Sequence, residues 1–348
     1  MHVRPREGRT THDGRRGAVA VVTSADVARA SGVSRTTVSY VLNGTPGTTI
    51  SAATRARVLE AAERLGYAPS AAARTLRRGR SDLVVVVLPH WPIGPVVDAL
   101  LDRLTTDLAE RGLSVLVHHG RGRRPLADLW RHVSPRAVVG LAPFDPAELD
   151  AMRRAGITPV GALVGRDGRD PAPDPAAYAG AQEGIGRLQA EHLLGRGRSR
   201  LAYAAPADER LAGFAAQRLA GVRAACAAAG AAHPLVAEVP PDPDAAAEVC
   251  RVWAAAGVDG VLAYNDEVAL AVLAGLRAVG ARVPEDVAVV GVDDEPAARL
   301  AVPPLSTVQQ EIEVEADHLA AVTLATLDGR AVPPHPPTSV RLVVRGSS

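Results

Sequence analysis

The sequence of 348 residues contains no lysine, so its 39 strongly basic residues are all arginine. Only two cysteines occur, Cys226 and Cys250, which excludes a disulfide framework and a cysteine-rich zinc module. No apolar run reaches the length of a membrane span, because the longest, Leu83–Pro89, has the length of one strand. Residues 1–17 lack the apolar segment of a secretory signal. We therefore expect a soluble, cytoplasmic protein with no membrane partner.

Motifs of catalysis and nucleotide binding are also missing. There is no Gly-x-Ser-x-Gly elbow, no Gly-Lys-Ser/Thr phosphate loop and no His-Glu-x-x-His helix. His118-His119 and the acids Asp293-Asp294-Glu295 are isolated groups of sequence neighbours, which rarely converge on one ion without partners, so they do not predict a metal site. The sequence predicts no enzyme, no cofactor and no metal.

The charge of the chain is distributed unevenly. Residues 1–80 hold 14 Arg against five acidic residues, a net charge of +9, whereas the remainder has a net charge of −8. A basic disordered tail over residues 1–22 explains only part of this excess, because residues 24–80 still carry nine Arg against three acids. Such asymmetry indicates a head that binds a polyanion, attached to an acidic body.

Three short helices are predicted within residues 23–65. Thr23 to Asp26 fits a capping box that opens the first helix, and Ser34 and Ser51 are N-cap residues for the second and third. Gly32 provides the turn between the first two helices. Two short helices, a glycine turn and a bracing third helix form a helix-turn-helix unit, which binds DNA in the major groove.

The second predicted helix, residues 35–42, has an apolar side and a polar side. Its outer side carries Arg35, Thr36, Ser39 and Tyr40. Arg35 suits the O6 and N7 acceptors of guanine, and Thr36 can donate, accept or contact a thymine methyl group. The alternative interpretation is that these residues only solvate a small helical domain.

From Leu83 onward the pattern alternates between strands and helices. Leu83–Leu88 is a continuous apolar run suited to a strand that is buried on both faces, and the alternation continues to a strand at 286–291. Repeated β-α units predict parallel sheets covered by helices, and about 265 residues suit two lobes. The fold class is thus an N-terminal all-α helix-turn-helix head and an α/β body of two Rossmann-like lobes.

A gap-free series of short motifs runs through residues 23–76. They include Asp26-Val27-Ala28, Ala30-Ser31-Gly32-Val33-Ser34, Thr37-Val38-Ser39, Val41-Leu42-Asn43, Thr54-Arg55 and Leu65-Gly66-Tyr67. The series resembles the DNA-binding head of the LacI/GalR family of bacterial transcription regulators. The resemblance implies that Arg35, Thr36 and Tyr40 read bases. It also implies that four residues lie near phosphates: Ser34, Ser39, Asn43 and Arg55.

The segment Ser70–Arg77 is similar to the hinge helix of that family. The resemblance implies that two hinge helices of a dimer enter the minor groove, with Leu76 as the wedge and Ala73 and Arg77 beside the DNA. Eight residues are too few for a stable isolated helix, so this segment is expected to order on DNA. An Ala/Arg linker is the alternative interpretation. The expected domains are a tail (1–22), a head (23–69), a hinge (70–81) and a two-lobed body (82–348).

Residues 190–345 carry the family resemblance in the body. Its motifs are Glu191-His192-Leu193-Leu194, Asn265-Asp266-Glu267-Val268-Ala269, Val283-Pro284-Glu285-Asp286-Val287 and Pro303-Pro304-Leu305-Ser306-Thr307. The resemblance implies two lobes like those of periplasmic sugar-binding proteins, with an effector held in the cleft by Arg218, Asn265 and Asp293. Internal salt bridges are the alternative for Arg218 and Asp293.

Two departures from the family pattern concern the cleft. Ala181-Gln182 stands where the family has Asp-Asn, which leaves one contact between the lobes open. Trp91 belongs to a segment that differs from the family's Asn-Pro-Phe-Phe, and it either stacks on a sugar ring or seals the core. A pocket without any small ligand is the alternative to an effector site.

These features together predict a DNA-binding transcription regulator, a repressor whose affinity for a pseudo-palindromic operator is set by a carbohydrate effector. The expected assembly is a homodimer or a tetramer, associated with the nucleoid. The effector acts either as an inducer or as a corepressor. The rival functions are a solute-binding protein for transport and a DNA-processing enzyme.

Overall fold

The computed structural model describes residues 22–43, 49–67, 81–119, 126–142, 144–161, 175–336 and 340–348. The chain divides into two compact units, Met1–Gly79 and Arg80–Ser348. The expected tail lies outside the described residues except for its last residue. The expected hinge lies outside them except for Ser81, so the structure does not describe Ala73, Leu76 or Arg77.

The described residues of the first unit form three helices, α1 (Ser24–Ser31), α2 (Arg35–Leu42) and α3 (Ala52–Arg64). All three predicted starts are confirmed. The Asp26 carboxylate accepts hydrogen bonds from the backbone N–H and the hydroxyl of Thr23, at 2.9 and 2.7 Å. Ser34 and Ser51 accept from the backbone N–H groups three residues later, at 3.1 and 3.2 Å. Each cap satisfies a donor that the first helical turn leaves without a partner.

A small apolar core joins the three helices of this unit. Its buried members come from every helix and are Val27, Ala28, Val38, Val41, Val58, Ala61 and Ala62. Gly32 has φ = 69°, a left-handed conformation that glycine adopts at little cost, and it turns the chain from α1 into α2. The core therefore fixes which side of α2 faces outward.

The first lobe of the second unit is a parallel sheet in the order β2-β1-β3-β4. Its strands are β1 (Leu83–Leu88), β2 (Ser114–His119), β3 (Ala137–Gly140) and β4 (Thr158–Gly161). Its helices are α4 (Pro95–Ala109), α5 (Ala127–Val133) and α6 (Pro146–Arg154). Successive valines of β1 pack into two different cores, Val84 and Val86 in one and Val85 and Val87 in the other. This confirms that β1 is buried on both faces.

The second lobe is a six-stranded sheet in the order β10-β9-β8-β7-β5-β6, in which only β10 runs antiparallel to its neighbour. Its strands are β5 (Leu201–Pro206), β6 (Leu235–Val239), β7 (Gly260–Ala263), β8 (Ala288–Val292), β9 (Ser306–Gln310) and β10 (Val340–Val343). Its helices are α7 (Pro175–Gly195), α8 (Ala212–Ala228), α9 (Pro243–Ala255), α10 (Asp266–Ala278) and α11 (Pro296–Leu300). The parallel β-α units put the carboxyl ends of β5, β7 and β8 on one side of the sheet.

The helix α12 (Ile312–Leu327) returns the chain to the first lobe. Its Leu319, Ala320 and Val322 are buried in the same core as Val84 and Val86 of β1. The chain then comes back to the second lobe as β10. The chain therefore passes between the two lobes more than once, and the cleft lies beside these connecting segments.

The helices α7 and α8 touch through their backbones. A Cβ atom added at Gly186 of α7 would lie 1.9 Å from the carbonyl oxygen of Arg218 in α8. A Cβ atom added at Gly221 of α8 would lie 1.9 Å from the carbonyl oxygen of Glu183 in α7. Each helix thus has a glycine where the other approaches, and this close contact sets the position of Arg218.

Candidate functional site

The exposed side of α2 carries the residues that the sequence predicts to face DNA. Arg35 and Thr36 are exposed at the N-terminal end of the helix, and Tyr40 is 39% exposed one turn later. No ion pair within the described residues of this unit uses Arg35, whereas Arg29 pairs with Asp26 at 3.2 Å. A guanidinium that is exposed and free of an internal carboxylate can donate to an external acceptor.

The predicted phosphate-contacting residues already serve the ends of helices. The hydroxyl of Ser34 caps α2 by accepting from the backbone N–H of Thr37. The side-chain amide of Asn43 donates to the carbonyl of Ser39 at 2.5 Å and to its hydroxyl at 3.3 Å, so these two half-buried residues close the other end of α2. Arg55 is half-buried near the start of α3. Ser34, Ser39 and Asn43 thus keep α2 in place in addition to any contact with a phosphate.

A cavity of about 820 Å³ lies between the lobes of the second unit. Trp91, Ile93 and Leu319 line it on one side, and Phe214 and Ile185 on the other. The rings of Trp91 and Phe214 meet edge to face with their centroids 5.0 Å apart. Trp91 both lines the cavity and packs against the first-lobe core, so the two alternatives predicted for it are both compatible with its position.

Arg218 is held rigidly at the cavity wall. It is only 4% exposed, and its guanidinium lies 4.5 Å from the ring centroid of Tyr264. Its Nε donates to the side-chain oxygen of Gln182 at 2.9 Å, and its Nη1 donates to the carbonyl of Tyr264 at 2.5 Å. Gln182, one of the two residues that depart from the family pattern, thus makes a polar contact within the second lobe, and this bond does not join the two lobes. Within the described residues, no salt bridge engages this arginine.

Asp293 follows β8 and has φ = 108°, a conformation that residues with a side chain rarely adopt. Its Oδ1 accepts from the side-chain amide of Gln310 at 2.6 Å. Burial raises the pKa of Asp293, and the positive charge of Arg218 offsets part of this rise. In the described part of the chain, Asp293 has no arginine within ion-pair distance, so a carboxylate oxygen remains to accept from a ligand.

Asn265 lies after β7, as predicted, and is the N-cap of α10. Its Oδ1 accepts from the backbone N–H of Val268 at 3.0 Å, which leaves the side-chain amide as a donor at the cavity. Arg218, Asn265 and Asp293 all line the cavity. The structure therefore brings the three predicted effector contacts to one wall, although they are far apart in sequence.

Three residues hold Arg218 and Asp293 in place. Gln182, Tyr264 and Gln310 contact Arg218 or Asp293 directly. Sequence reasoning identified Gln182 only as a departure from the family pattern, and it missed Tyr264 and Gln310. Gln310 is the last residue of β9, a strand of the same sheet, and this position at a strand end is the signal by which it could have been identified. The Tyr264 contact uses a backbone carbonyl, for which a sequence gives no signal.

Among the described residues that line the cavity, acidic side chains outnumber basic ones. The carboxylates are Asp208, Glu267, Asp293, Glu295, Glu311 and Glu315. The arginines are Arg210 and Arg218, and Arg210 pairs with Asp208 at 2.6 Å. Burial raises the pKa of Glu295, with further repulsion from Asp293 and Glu267. The wall therefore suits neutral or cationic ligands better than anionic ones.

Neither a metal site nor a membrane-spanning helix is found among the described residues. Over the part of the chain that the structure describes, no three His, Cys, Asp or Glu side chains converge as metal ligands do. None of the helices in the described ranges is long and apolar enough to cross a membrane.

Two family models match the chain. The model of bacterial regulatory proteins, lacI family, matches residues 23–70, and the model of a periplasmic binding protein-like domain matches residues 190–348. A helix-turn-helix head joined to such a two-lobed body defines a class of DNA-binding transcription regulators.

Curated relatives extend over nearly the whole chain. The HTH-type transcriptional regulator CelR of Thermobifida fusca is 34% identical over 332 residues, which are 91% of this chain and 94% of that protein. The HTH-type transcriptional regulator GntR of Pseudomonas aeruginosa is 31% identical over 319 residues, 88% of this chain and 90% of that protein. The chain therefore belongs to the LacI family, whose members are DNA-binding transcriptional regulators without enzymatic activity.

Solved structures share the architecture. A complex of the transcriptional regulator CelR with cellobiose is 30% identical, with a TM-score of 0.62, and covers 94% of this chain and 100% of that one. The lac repressor dimer bound to operator and the anti-inducer ONPF is 24% identical, with a TM-score of 0.73, and covers 94% of this chain and 98% of that one; this likeness shows the fold. The predicted family and fold class are confirmed.

Proposed function

We propose that this regulator is a homodimeric repressor whose affinity for a pseudo-palindromic operator is controlled by a small carbohydrate in the cleft. The observation that carries this proposal is the presence, in one chain, of a helix-turn-helix unit with an exposed polar α2 face and a cavity lined by Arg218, Asn265 and Asp293. Such a protein acts in the cytoplasm, on the DNA of the nucleoid.

In the proposed complex, α2 lies in the major groove. Arg35 donates to a guanine, Thr36 contacts a neighbouring base, and Tyr40 reaches a base edge from the next turn. Arg55 and the helix-end residues Ser34, Ser39 and Asn43 orient the head on the phosphates. The hinge positions Ala73, Leu76 and Arg77 are assigned to the minor groove on the basis of the family resemblance alone.

The proposed effector is a neutral sugar. Arg218 and Asp293 offer a donor and an acceptor at the same wall, and a sugar hydroxyl can use both. The aromatic pair Trp91 and Phe214 offers apolar contact to a pyranose ring. The structure of CelR with cellobiose makes an oligosaccharide a reasonable first ligand to test. The excess of carboxylates disfavours phosphorylated sugars.

The proposed dimer uses apolar side chains that the isolated chain exposes. Leu235 and Val236 are 45% and 46% exposed on the edge strand β6, and Val252 is 67% exposed on α9, which packs beside β6. A second copy covering this surface removes it from water. The dimer also places two heads on one DNA, as the pseudo-palindromic operator requires.

Control by the effector follows from linkage. A ligand that binds better to one arrangement of the lobes shifts the dimer toward that arrangement, and operator affinity changes by the same factor as effector affinity. A ligand that favours the DNA-free form is an inducer, and one that favours the bound form is a corepressor.

Footprinting on DNA upstream of the protein's own gene tests the regulator. The proposal expects a protected region made of two symmetric half-sites. Protection of a single half-site, or of no site, contradicts the proposed binding of a dimer to a pseudo-palindromic operator.

A thermal-shift screen of the body tests the effector. Neutral sugars, beginning with cellobiose, are expected to raise the unfolding temperature more than phosphorylated sugars or nucleobases do. A shift with phosphorylated sugars alone contradicts the assignment, and no shift with any compound favours a pocket without a ligand.

A further inference from the structure

Asp266 is a buried carboxylate beneath the loop of residues 293–295, which carries Asp293. It is the first residue of α10, it directly follows Asn265, and it is completely inaccessible to solvent. Its two oxygens accept from different segments: Oδ1 from the hydroxyl of Thr307 at 2.6 Å, and Oδ2 from the backbone N–H of Glu295 at 2.8 Å. Neither partner is a cation, and no ion pair among the described residues includes Asp266.

The loop above Asp266 has an unusual backbone. Asp293 and Asp294 are consecutive residues with φ of 108° and 53°, in the left-handed region that favours glycine. Such conformations persist only where surrounding contacts fix them. The backbone contacts are the Glu295 N–H bond to Asp266, a bond from the backbone N–H of Asp294 to the hydroxyl of Thr307 at 3.3 Å, and a bond from the backbone N–H of Asp293 to the Val308 carbonyl at 2.8 Å. The side chains of the loop are held as well, Asp294 by ion pairs with Arg345 and Arg299 and Asp293 by the Gln310 amide.

Asp266 thus takes part in two of these contacts, one directly and one through Thr307. The same hydroxyl accepts from the Asp294 N–H and donates to Asp266, so the carboxylate orients it. A carboxylate, which only accepts, suits a position where two donors converge.

The strand beneath the loop leaves room for this side chain. A Cβ atom added at Gly291 of β8 would lie 2.1 Å from Oδ1 of Asp266. Any residue but glycine there pushes against the carboxylate. The carboxylate therefore has one fixed position, between β8, β9 and the loop.

Burying this group is costly for the fold. Burial raises the pKa of Asp266 to about 7, with further repulsion from Asp293 and Glu295, while the Thr307 and Glu295 hydrogen bonds lower it. An apolar side chain avoids this cost. The benefit of the carboxylate is the geometry of the loop, and the loop carries Asp293.

We infer that Asp266 is a positioning residue, which locks α10 to the 293–295 loop and so holds the proposed effector contacts Asn265 and Asp293 at their mutual distance. The effect of Asp266 on ligand binding rests on the proposed function. The locking of α10 to the loop does not depend on that function, because it is a property of the ligand-free protein.

Hydrogen exchange of backbone amides in the full chain tests the locking. The exchange is measured at about pH 8, above the Asp266 pKa of about 7, so that the carboxylate is ionised and only accepts. Asp266→Asn keeps the shape but replaces one acceptor with a donor, so the amides of Asp294 and Glu295 are expected to exchange at least tenfold faster. Asp259→Asn is the matched control, because Asp259 also accepts backbone N–H groups, those of Ser199 and Arg200, before β5. Unchanged exchange at Glu295 in Asp266→Asn overturns the inference, as does an equal increase at Glu295 in Asp259→Asn.

Two substitutions at Thr307 keep the test decisive if Asp266→Asn does not fold. Thr307→Val removes the hydroxyl and is expected to accelerate exchange at Asp294, whereas Thr307→Ser keeps the hydroxyl and is expected to restore wild-type exchange. Equal exchange in the two variants overturns the inference.

Titration with cellobiose separates this inference from the proposed function. If wild type binds cellobiose, Asp266→Asn is expected to weaken binding at least tenfold and Asp259→Asn less than twofold. If wild type does not bind it, the choice of effector fails while the exchange result still decides the locking. Faster exchange with unchanged cellobiose affinity contradicts the role of Asp266 in ligand binding.

Discussion

Replacing Gly186 with alanine separates two helices that carry the cleft. The added methyl group would lie 1.9 Å from the Arg218 carbonyl oxygen, whereas ordinary contact needs about 3.4 Å, so α7 and α8 must move apart by about 1.5 Å. The atom that the new methyl group meets is a backbone carbonyl oxygen and not the end of a flexible side chain. The contact therefore cannot be relieved by a side-chain rotation, and the helices themselves must shift. Overpacking of this kind costs about 1–3 kcal/mol, and occasionally more. We expect a loss of stability near the top of that range.

The same helix provides a matched control. Gly184 lies two residues away, and a Cβ atom added there meets no other atom within 4 Å. Alanine at that position gains helix propensity, so Gly184→Ala is expected to stabilise the protein by about 0.5–1 kcal/mol. One chemical change at two neighbouring positions is therefore predicted to have opposite signs.

Equilibrium unfolding in urea, followed by tryptophan fluorescence, measures both effects. All three tryptophans, Trp91, Trp130 and Trp253, belong to the second unit, so the signal reports on the body and not on the head. Gly186→Ala is also expected to weaken ligand binding, because the Gln182 bond to Arg218 spans the same pair of helices. A Gly186→Ala midpoint equal to that of wild type, or an equal loss in Gly184→Ala, refutes the reasoning.

Three further predictions concern the head, the buried carboxylate and the thiols. Arg35→Ala is expected to relax the preference at one operator base and cost about 1–3 kcal/mol there, whereas Arg77→Ala lowers affinity for all sequences alike; equal losses on every DNA in a binding assay contradict base reading by Arg35. The pKa of Asp266 is about 7 in the fold, against 3.8 for the unfolded group, so between these values the native state keeps a proton that the unfolded state releases. The free energy of unfolding of wild type is therefore expected to fall by up to about 4 kcal/mol as the pH rises from about 4 to about 7. Urea midpoints that change in parallel with pH for wild type and Asp266→Asn contradict this. Cys226 and Cys250 are buried, and burial raises the pKa of both thiols, so neither is expected to react with a thiol reagent before unfolding; rapid labelling of the native protein contradicts the packing.

Local chemistry made the head predictable. The caps at Thr23, Ser34 and Ser51 involve residues at most three positions apart, and all three helices begin where those residues indicate. The strand Leu83–Leu88 was equally clear, because a run of six apolar residues has few alternatives to a buried strand.

Elements that depend on the tertiary fold were not predicted. The helix α12 was missed because its own apolar residues, which include Leu319, Val322 and Ala325, occupy most of its circumference. It therefore lacks the regular polar face by which an amphipathic helix is predicted. The sequence pattern predicts this helix only over Gly184–Leu194, whereas α7 spans Pro175–Gly195. Its first turns are rich in alanine, which favours helix without producing a periodic pattern.

The cavity wall that carries the proposed effector contacts was predictable only in part. Arg218, Asn265 and Asp293 were identified from motifs, and the last two also from their places after strands. The bond between Arg218 and Gln182 joins residues 36 positions apart across two helices, and the bond between Gln310 and Asp293 joins neighbouring strands. Such contacts depend on how elements pack, which no local pattern specifies.

The most direct test of the account is the affinity of the purified full-length protein for a fragment of its own promoter, measured at moderate ionic strength against a scrambled fragment of the same composition. Because specific regulators bind their sites about 10³-fold or more above other DNA, the account predicts at least that preference, and its loss when Arg35 and Thr36 are both replaced by alanine. Equal affinity for the promoter and the scrambled fragment contradicts the account.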